Sequence, residues 1–526
     1  MAARRFPRAR SGPVWRPNAD LLIVKVTSEG APTHSGQPAE AFFQGCFNQA
    51  LDLVTQAAAR LHEPIVVLLN SGTQWGPIDG TGAVSARIDA DLGANTAGRV
   101  DVAPSGDEGT LPNHARARYS TTPAIFNFNK TSTDTAYFQL WYTGAVPANV
   151  TLTLNDTGTS VIVAPGNNCA TSSDNSIELC TYNPGEQFYP WRSSGPDRAV
   201  WIFVNGHHGT GSIIVKATPS GTGTADAYGD ATMPTPIISY TNHLTLGRLT
   251  DYASTRSAIV DGCFNVRTNW IDINHNPESL TNEGVTNGLW LYSSGGPTRD
   301  GRSPLTATYG GVDITTPGGN AFAAYSPTSY WGDLTLFPFN LAQGSKGFYG
   351  RQSATSGSAP LLAGAVALLL QMNPRLTATQ IRHFIHQTAV SDTFTGTTPN
   401  LNWGTGKLNV LGAANLVAQG FNTNPALTAA SLTFPPQMVG TTSSAKNVTF
   451  SNTSPATNAL GITSISTSGD FKISSNTCKS SLPAGGRCTI GVAFKPTTTG
   501  TRKGSLTIKD FNVKSPHVVS LIGTGH

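Results

Sequence analysis

Thr355-Ser356-Gly357-Ser358-Ala359-Pro360-Leu361-Leu362-Ala363-Gly364-Ala365-Val366-Ala367-Leu368-Leu369-Leu370 sets a serine at the mouth of an uncharged, apolar segment. Its small and aliphatic residues predict a buried helix over Pro360–Gln371, with Gly364 letting it lie close to its neighbours. A second helix is predicted over Thr377–Thr388. A serine at a helix N-terminus has main-chain N–H groups and the positive dipole end nearby, which favours negative charge developing on a substrate. A hydroxyl is a weak nucleophile alone, so chemistry there needs a positioned base. The run Leu361–Leu370 is too short and too rich in small residues to span a bilayer.

Upstream, Leu21-Leu22-Ile23-Val24-Lys25-Val26 reads as a buried parallel strand. Ala39–Leu61 has helical periodicity, with Phe43, Phe47, Leu51 and Val54 on one face. Ile65–Leu69 reads as a second buried strand, so an α/β domain begins here. Val100–Ala103 continues its sheet. From Asn113 the pattern becomes all strand: Ala124–Phe128, Ala136–Tyr142, Val150–Leu154, Val161–Val163, Ala199–Val204 and Ile213–Ala217 are separated by turn residues. That is a β-sandwich inserted into the α/β domain, whose pattern resumes near Leu244. Beyond Gly420–Pro425, clean alternation in Leu432/Phe434, Val448/Phe450, Ile490/Val492/Phe494, Leu506/Ile508 and Val519/Leu521 predicts an immunoglobulin-type sandwich.

The chain's 526 residues allow two to four domains with full cores. Charged residues are only 12% and glycines number 55, which suits a secreted, loop-rich, β-containing protein. Arg4, Arg5, Arg8, Arg10 and Arg16 carry much of the net +4, so the body is nearly neutral. No aromatic interleaving accompanies them, and no nucleic-acid partner is implied. The close pairs Cys169/Cys180 and Cys478/Cys488 predict two local disulfides and an oxidising compartment. Cys46 and Cys263 are expected to be buried thiols. No His/Cys spacing forms a metal site. Met1–Arg16 lacks the apolar centre of a signal peptide.

The serine segment resembles the G-T-S-x-S-A-P motif and following helix of the subtilisin-like serine proteases. Asn373-Pro374-Arg375-Leu376-Thr377-Ala378-Thr379-Gln380-Ile381-Arg382 and Asn402-Trp403-Gly404-Thr405-Gly406-Lys407-Leu408-Asn409 extend the resemblance. Pro17–Val26, Val66–Gly72, Ser294–Arg302 and Thr316-Pro317-Gly318 resemble further family segments in order. The tail resembles bacterial immunoglobulin-like repeats of the ASPM/SPD-2/Hydin type. The implied fold is α/β: a subtilisin-like parallel sheet flanked by helices, N-terminally truncated, with an inserted β-sandwich and a C-terminal immunoglobulin-like β-sandwich. The domains are then an irregular start at 1–16, a first catalytic part at 17–112 and a jelly-roll-like insertion at 113–236. A second catalytic part follows at 237–419, then a linker at 420–426 and the last sandwich at 427–526.

The resemblance implies acyl transfer on polypeptides with Ser356 as nucleophile and Ser358 as a structural neighbour. It puts Asp107, within Ala103-Pro104-Ser105-Gly106-Asp107-Glu108-Gly109, at the oxyanion position, which is asparagine in most of the family. An ionised carboxylate there repels an oxyanion; a protonated one donates. Asn70, Ser71 and Gly72 with Pro104, Ser105 and Gly106 flank the substrate backbone and the pocket before the scissile bond. Pro104 takes one donor from that wall.

The family's Asp-bearing strand and H-G-T-H helix lie upstream of the segment that Pro17–Val26 resembles. The expectation is a truncated chain, inactive by itself, whose full-length parent is secreted or held at the cell surface. His34, His62, His114, His383 and His386 are not expected to replace the base. No cofactor is implied, and calcium dependence is not legible. The alternative is a non-catalytic secreted or surface adhesion protein, with a surface or protein ligand on its C-terminal domain.

Overall fold

The computed structural model describes all residues except 1, 7–18, 26–46, 132, 134, 144–147, 188–191, 207–208, 219–220, 230, 233–234, 307–308, 326–336, 347, 421–422, 455–459, 511 and 513–514. The chain divides into two units, Met1–Val410 and Leu411–His526.

The first unit is organised by a parallel sheet, whose strands must be apolar on both faces because helices cover them. Ile65–Leu68, Arg99–Pro104, Ile259–Asn265 and Ile314–Gly319 lie side by side in that order, all parallel. Val100, Val102, Ile259 and Ile314 are fully buried between them. The helix Thr355–Met372 packs on all four strands. By length and composition it could cross a membrane, but this packing is that of a core helix. The next helix, Ala378–Thr388, starts at a capping box: Thr377 Oγ1 accepts from Gln380 N at 3.2 Å, and Gln380 Oε1 accepts from Thr377 N at 2.9 Å.

The buried parallel strand expected at Leu21–Val26 is not part of this sheet. Leu21–Lys25 is extended, but it pairs antiparallel with Ala2–Phe6, and Leu21 and Ile23 are 44% and 56% exposed. An apolar run specifies extended chain; whether both its faces are covered depends on partners far away in sequence. The helix read from Ala39 is described over Phe47–Leu61, with Phe47 and Leu51 buried; Phe43 and Cys46 lie outside the described residues.

Between the second and third parallel strands, residues from His114 to Tyr240 form two facing antiparallel sheets. One holds, in spatial order, Asn168–Thr171, Ile177–Tyr182, Arg198–Val204, Ala136–Thr143, Gly223–Tyr228 and His114–Tyr119. The other holds Ile238–Tyr240, Ala124–Lys130, Thr210–Ala217, Ala148–Leu154 and Ser160–Val163. Phe126, Phe128, Phe138, Leu152 and Ile213 fill the space between them. Cys169 and Cys180, directly opposed on neighbouring strands, are disulfide-bonded.

The six-stranded sheet also buries its outer face. Trp141 and Trp201 join Leu69, Ile78, Ile88 and Leu249 in one apolar cluster with the parallel-sheet portion. They are therefore packing residues. Arg299, buried beside Trp141, bonds both Asp79 and Asp197 and so ties three distant segments together.

In the second unit, four- and five-stranded sheets enclose Val448, Phe450, Ile490, Val492, Phe494, Leu506, Ile508, Val519 and Leu521. Cys488 faces inward with Ile490 and is bonded to Cys478. The remaining described thiol, Cys263, is buried in the first unit.

Candidate active site

The serine helix begins at Thr355 and contains Pro360. Proline has no N–H, so the carbonyl four residues earlier, that of Ser356, has no helical donor. Asn70 supplies one: its Nδ2 donates to Ser356 O at 3.0 Å. This bond seats the end of the first parallel strand on the first turn of the serine helix. The Ser356 side chain is half-buried, and its hydroxyl makes no hydrogen bond among the described residues. Ser358 is fully buried, and its hydroxyl donates to Thr355 O at 3.0 Å.

Asp107 reaches the same helix from the loop after Arg99–Pro104. Its Oδ1 accepts from the Thr355 N–H at 2.9 Å and the Thr355 hydroxyl at 2.8 Å. It caps the helix from 248 residues away in sequence, where the dipole favours an anion. Burial raises its pKa above the ordinary carboxylate range, against the two Thr355 bonds. Asp107 N in turn donates to Glu108 Oε2 at 2.9 Å. Burial first, and then the charge of Asp107, push Glu108 up to about 7.

The two flanking segments of the expected substrate channel are held by different means. Gly72 has φ +151°, and a Cβ on it would stand 2.7 Å from Thr250 Cβ, so only glycine fits. Next to it, Thr73 N donates to buried Asp251 Oδ1 at 2.9 Å. Gly106 has φ +117°, with Glu108 Oε2 2.9 Å from where its Cβ would be. Thr250 bonds the opposite wall, its hydroxyl to Pro104 O at 3.3 Å and its N–H to Ser105 O at 3.0 Å. Asn70 and Asp107 thus meet consecutive residues of one helix, whereas Gly72, Pro104, Ser105 and Gly106 line up through Thr250. Ser71 is exposed and makes no side-chain hydrogen bond among the described residues.

Under the helix lies a polar cluster the sequence did not reveal. Thr316 Oγ1 sits 2.9 Å from Ser358 O and 2.8 Å from Asp261 Oδ2. Burial pushes Asp261 up to about 8. Other missed residues surround a cavity of about 170 Å³ beside Glu108, among them Gln74, Gln139 and Tyr228. Glu108 had a sequence signal, its adjacency to Asp107. Gln139 had none, because it arrives from the inserted sandwich.

The described histidines are engaged elsewhere. His114 bonds Leu246 O and Asp226, His386 bonds Asp313, and His62 bonds Arg60 O. His383 packs on Phe384, and His34 lies outside the described residues. Among the described residues, no histidine hydrogen-bonds Ser356. The arrangement supplies a serine, a helix N-terminus and a carboxyl group at its mouth.

Residues 192–406 match the subtilase peptidase family. Residues 423–518 match the ASH domain, described as abnormal spindle-like microcephaly-associated, ASPM-SPD-2-Hydin. Among solved structures, the CspB protease of Clostridium perfringens superposes with a TM-score of 0.54 at 16% identity, covering 72% of this chain and 72% of that one. That likeness is one of fold. Tripeptidyl peptidase 2 gives 0.32 at 12% identity, over 97% of this chain and 28% of that one. A PapD-like ASH domain of human CEP192 gives 0.17 at 14% identity, over 26% and 96%. No curated protein matches the chain.

Proposed function

From a chain whose segments match a subtilase domain and an ASH domain, we propose a serine endopeptidase site in which Ser356 is the nucleophile and no base among the described residues is bonded to it. The observation that carries this reading is the mouth of the serine helix. Ser356 is reachable and its hydroxyl is unengaged, while Asp107 bonds the residue before it. In acyl transfer, Ser356 Oγ attacks a peptide carbonyl, and the oxygen that becomes negative needs donors. Ser356 N–H is one. Asp107 is the second only when protonated, a state that burial favours. As a carboxylate it opposes the charge it faces.

Among the described residues no imidazole is placed to take the serine proton, and loss of that group lowers turnover by about 10⁶ in enzymes of this kind. The described part of the chain is therefore read as catalytically silent by itself. Two disulfides support an oxidising compartment, hence export or surface display. A fluorophosphonate probe tests the nucleophile: labelling that disappears in Ser356→Ala, without casein hydrolysis, is the expected pair of results. Casein turnover by the chain alone overturns the silent reading. No labelling of folded protein favours the second reading, a non-catalytic binding protein built on its sandwiches.

A further inference from the structure

Pro360 leaves Ser356 O without a helical donor, so the first turn of the serine helix depends on side chains from elsewhere. Asn70 meets Ser356 O, Asp107 meets Thr355, and Thr316 of the strand Ile314–Gly319 meets Ser358 O at 2.9 Å. Ser358 O can accept this bond besides its helical one, because a carbonyl has two lone pairs. Gly318 lets strand and helix come this close: a Cβ on it would stand 2.5 Å from Ser358 Cβ. Thr316, Ser358 and Asp261 are fully buried, so a polar atom left unpaired among them is costly.

Thr316 Oγ1 faces two acceptors. Besides Ser358 O it lies 2.8 Å from Asp261 Oδ2, and a hydroxyl has a single hydrogen to give. If Asp261 were a carboxylate, one of these two neighbours would go without that donor. Asp261 Oδ1 has no hydrogen-bond partner among the described residues, and no cation there offsets a charge on the group. The serine helix and the strand Ile314–Gly319 carry no ionisable side chain. The strand Arg99–Pro104 carries Arg99 and Asp101, which bond Asp91 O and the Ser257 hydroxyl. The remaining titratable neighbours are Cys263, on the strand of Asp261, and Asp107 at the helix mouth; neither brings positive charge. A neutral acid resolves the arrangement: Asp261 gives its proton to Thr316, and Thr316 gives its own to Ser358 O. Burial pushes Asp261 up to about 8 against the pull of the Ser358 and Thr316 hydroxyls, and so favours the same form.

We propose that Asp261 is a positioning residue for Ser356: a neutral carboxylic acid that donates to Thr316, so that Thr316 holds Ser358 O and with it the first turn of the serine helix. Loss of the proton turns the Thr316 hydrogen back to the carboxylate and deprives Ser358 O of its second donor. The turn is therefore set for acid and neutral solution and loosens in alkali. The inference rests on Ser356 being the nucleophile for its purpose, but not for the hydrogen-bond chain itself.

The test compares the full native chain with Asp261→Asn, whose amide donates to Thr316 at any pH. Fluorophosphonate labelling of Ser356 is timed in both at pH 6 and pH 9.5; Asp107 and Cys263 are common to the two proteins, so their titration cancels in the ratio of rates. The native-to-variant ratio should fall at least threefold between the two pH values, and a constant or rising ratio overturns the proposal. If neither protein is labelled, the nucleophile reading fails separately, and hydrogen exchange over residues 355–362 decides, with the helix Ala378–Thr388 as reference against general loosening. Relative to that reference, the native turn should match the variant at pH 6 and exchange at least threefold faster at pH 9.5. Equal protection at both pH values overturns the proposal. Infrared difference spectra at pH 6 should show a protonated carboxyl band in the native chain that Asp261→Asn lacks; its absence overturns the neutral acid. Should Asp261→Asn not fold, Thr316→Val takes its place: at pH 6 its turn should exchange as fast as the native one does at pH 9.5, and native-like protection overturns the proposal.

Discussion

Asn70 donates its Nδ2 hydrogen to the main-chain carbonyl of Ser356 at 3.0 Å, filling the acceptor that Pro360 leaves empty. A helix-breaking residue and a polar side chain 286 positions apart in sequence form one device. Proline frees the carbonyl, asparagine takes it, and the serine is located against the strand that would hold a substrate. Replacing Asn70 by alanine removes a solvent-exposed hydrogen bond and costs about 0.5–1.5 kcal/mol. Thermal unfolding should show the loss as a lower Tm of the first unit, and probe labelling of Ser356 should slow. An unchanged Tm would mean that water replaces the amide without cost.

Asp107→Asn separates charge from capping at the helix mouth. The asparagine Oδ1 can keep both Thr355 bonds while its Nδ2 becomes an oxyanion donor. Since one such donor is worth ~10²–10³ in rate, fluorophosphonate labelling of Ser356 should accelerate by up to about 10². Slower labelling would show that Asp107 already serves as a protonated donor.

Arg299 is the buried cation that pairs with Asp79 and Asp197, drawn from the strand-following loop and the sandwich respectively. Arg299→Met leaves two buried carboxyls facing each other, a loss of about 3–5 kcal/mol. Chemical denaturation followed by Trp fluorescence reads it, because Trp141 and Trp201 stand in the affected contact. A fully neutral set, Arg299→Met with Asp79→Asn and Asp197→Asn, should recover part of the stability. No recovery would place the effect in packing.

Acid should stabilise the first unit. Burial pushes Asp101, Glu108 and Asp251 up to about 7 and Asp261 up to about 8, against about 4 in the unfolded chain. Each group therefore keeps its proton in the folded state after the unfolded chain has lost it. The resulting stabilisation is full below about pH 4 and is lost as pH rises through about 7 to 8. The Tm of the first unit should be higher at pH 5 than at pH 8.5, and Asp261→Asn should make the decline shallower. A Tm that rises over this interval contradicts the assignment.

Local chemistry made much of this legible. Thr355–Leu370 declared its helix because small, uncharged residues run on after a serine, and Ile65–Leu69 declared its strand through β-branched residues. The alternation in Ala124–Phe128 and Val448/Phe450 showed which faces are buried, since a strand's side chains change sides at every residue. Illegible was anything fixed by coverage. Leu21–Lys25 has the composition of a sheet interior but stands in an exposed ribbon. His114–Tyr119 and Gly223–Tyr228 pair as strands although their polar residues mask the alternation.

For the site, the sequence by itself determined the position of the proposed nucleophile, the helix that carries it, and the acid at the position where the resembled family usually has an amide. These are properties of short segments, in which backbone geometry follows from neighbouring residues. Tertiary structure alone decided that Asn70 satisfies Ser356, that Asp107 caps Thr355, and that Gln139 and Tyr228 line a cavity beside Glu108. Each joins groups from segments far apart in the chain. Whether a polar atom finds a partner depends on which surfaces the apolar cores bring together, and no local run of residues records that.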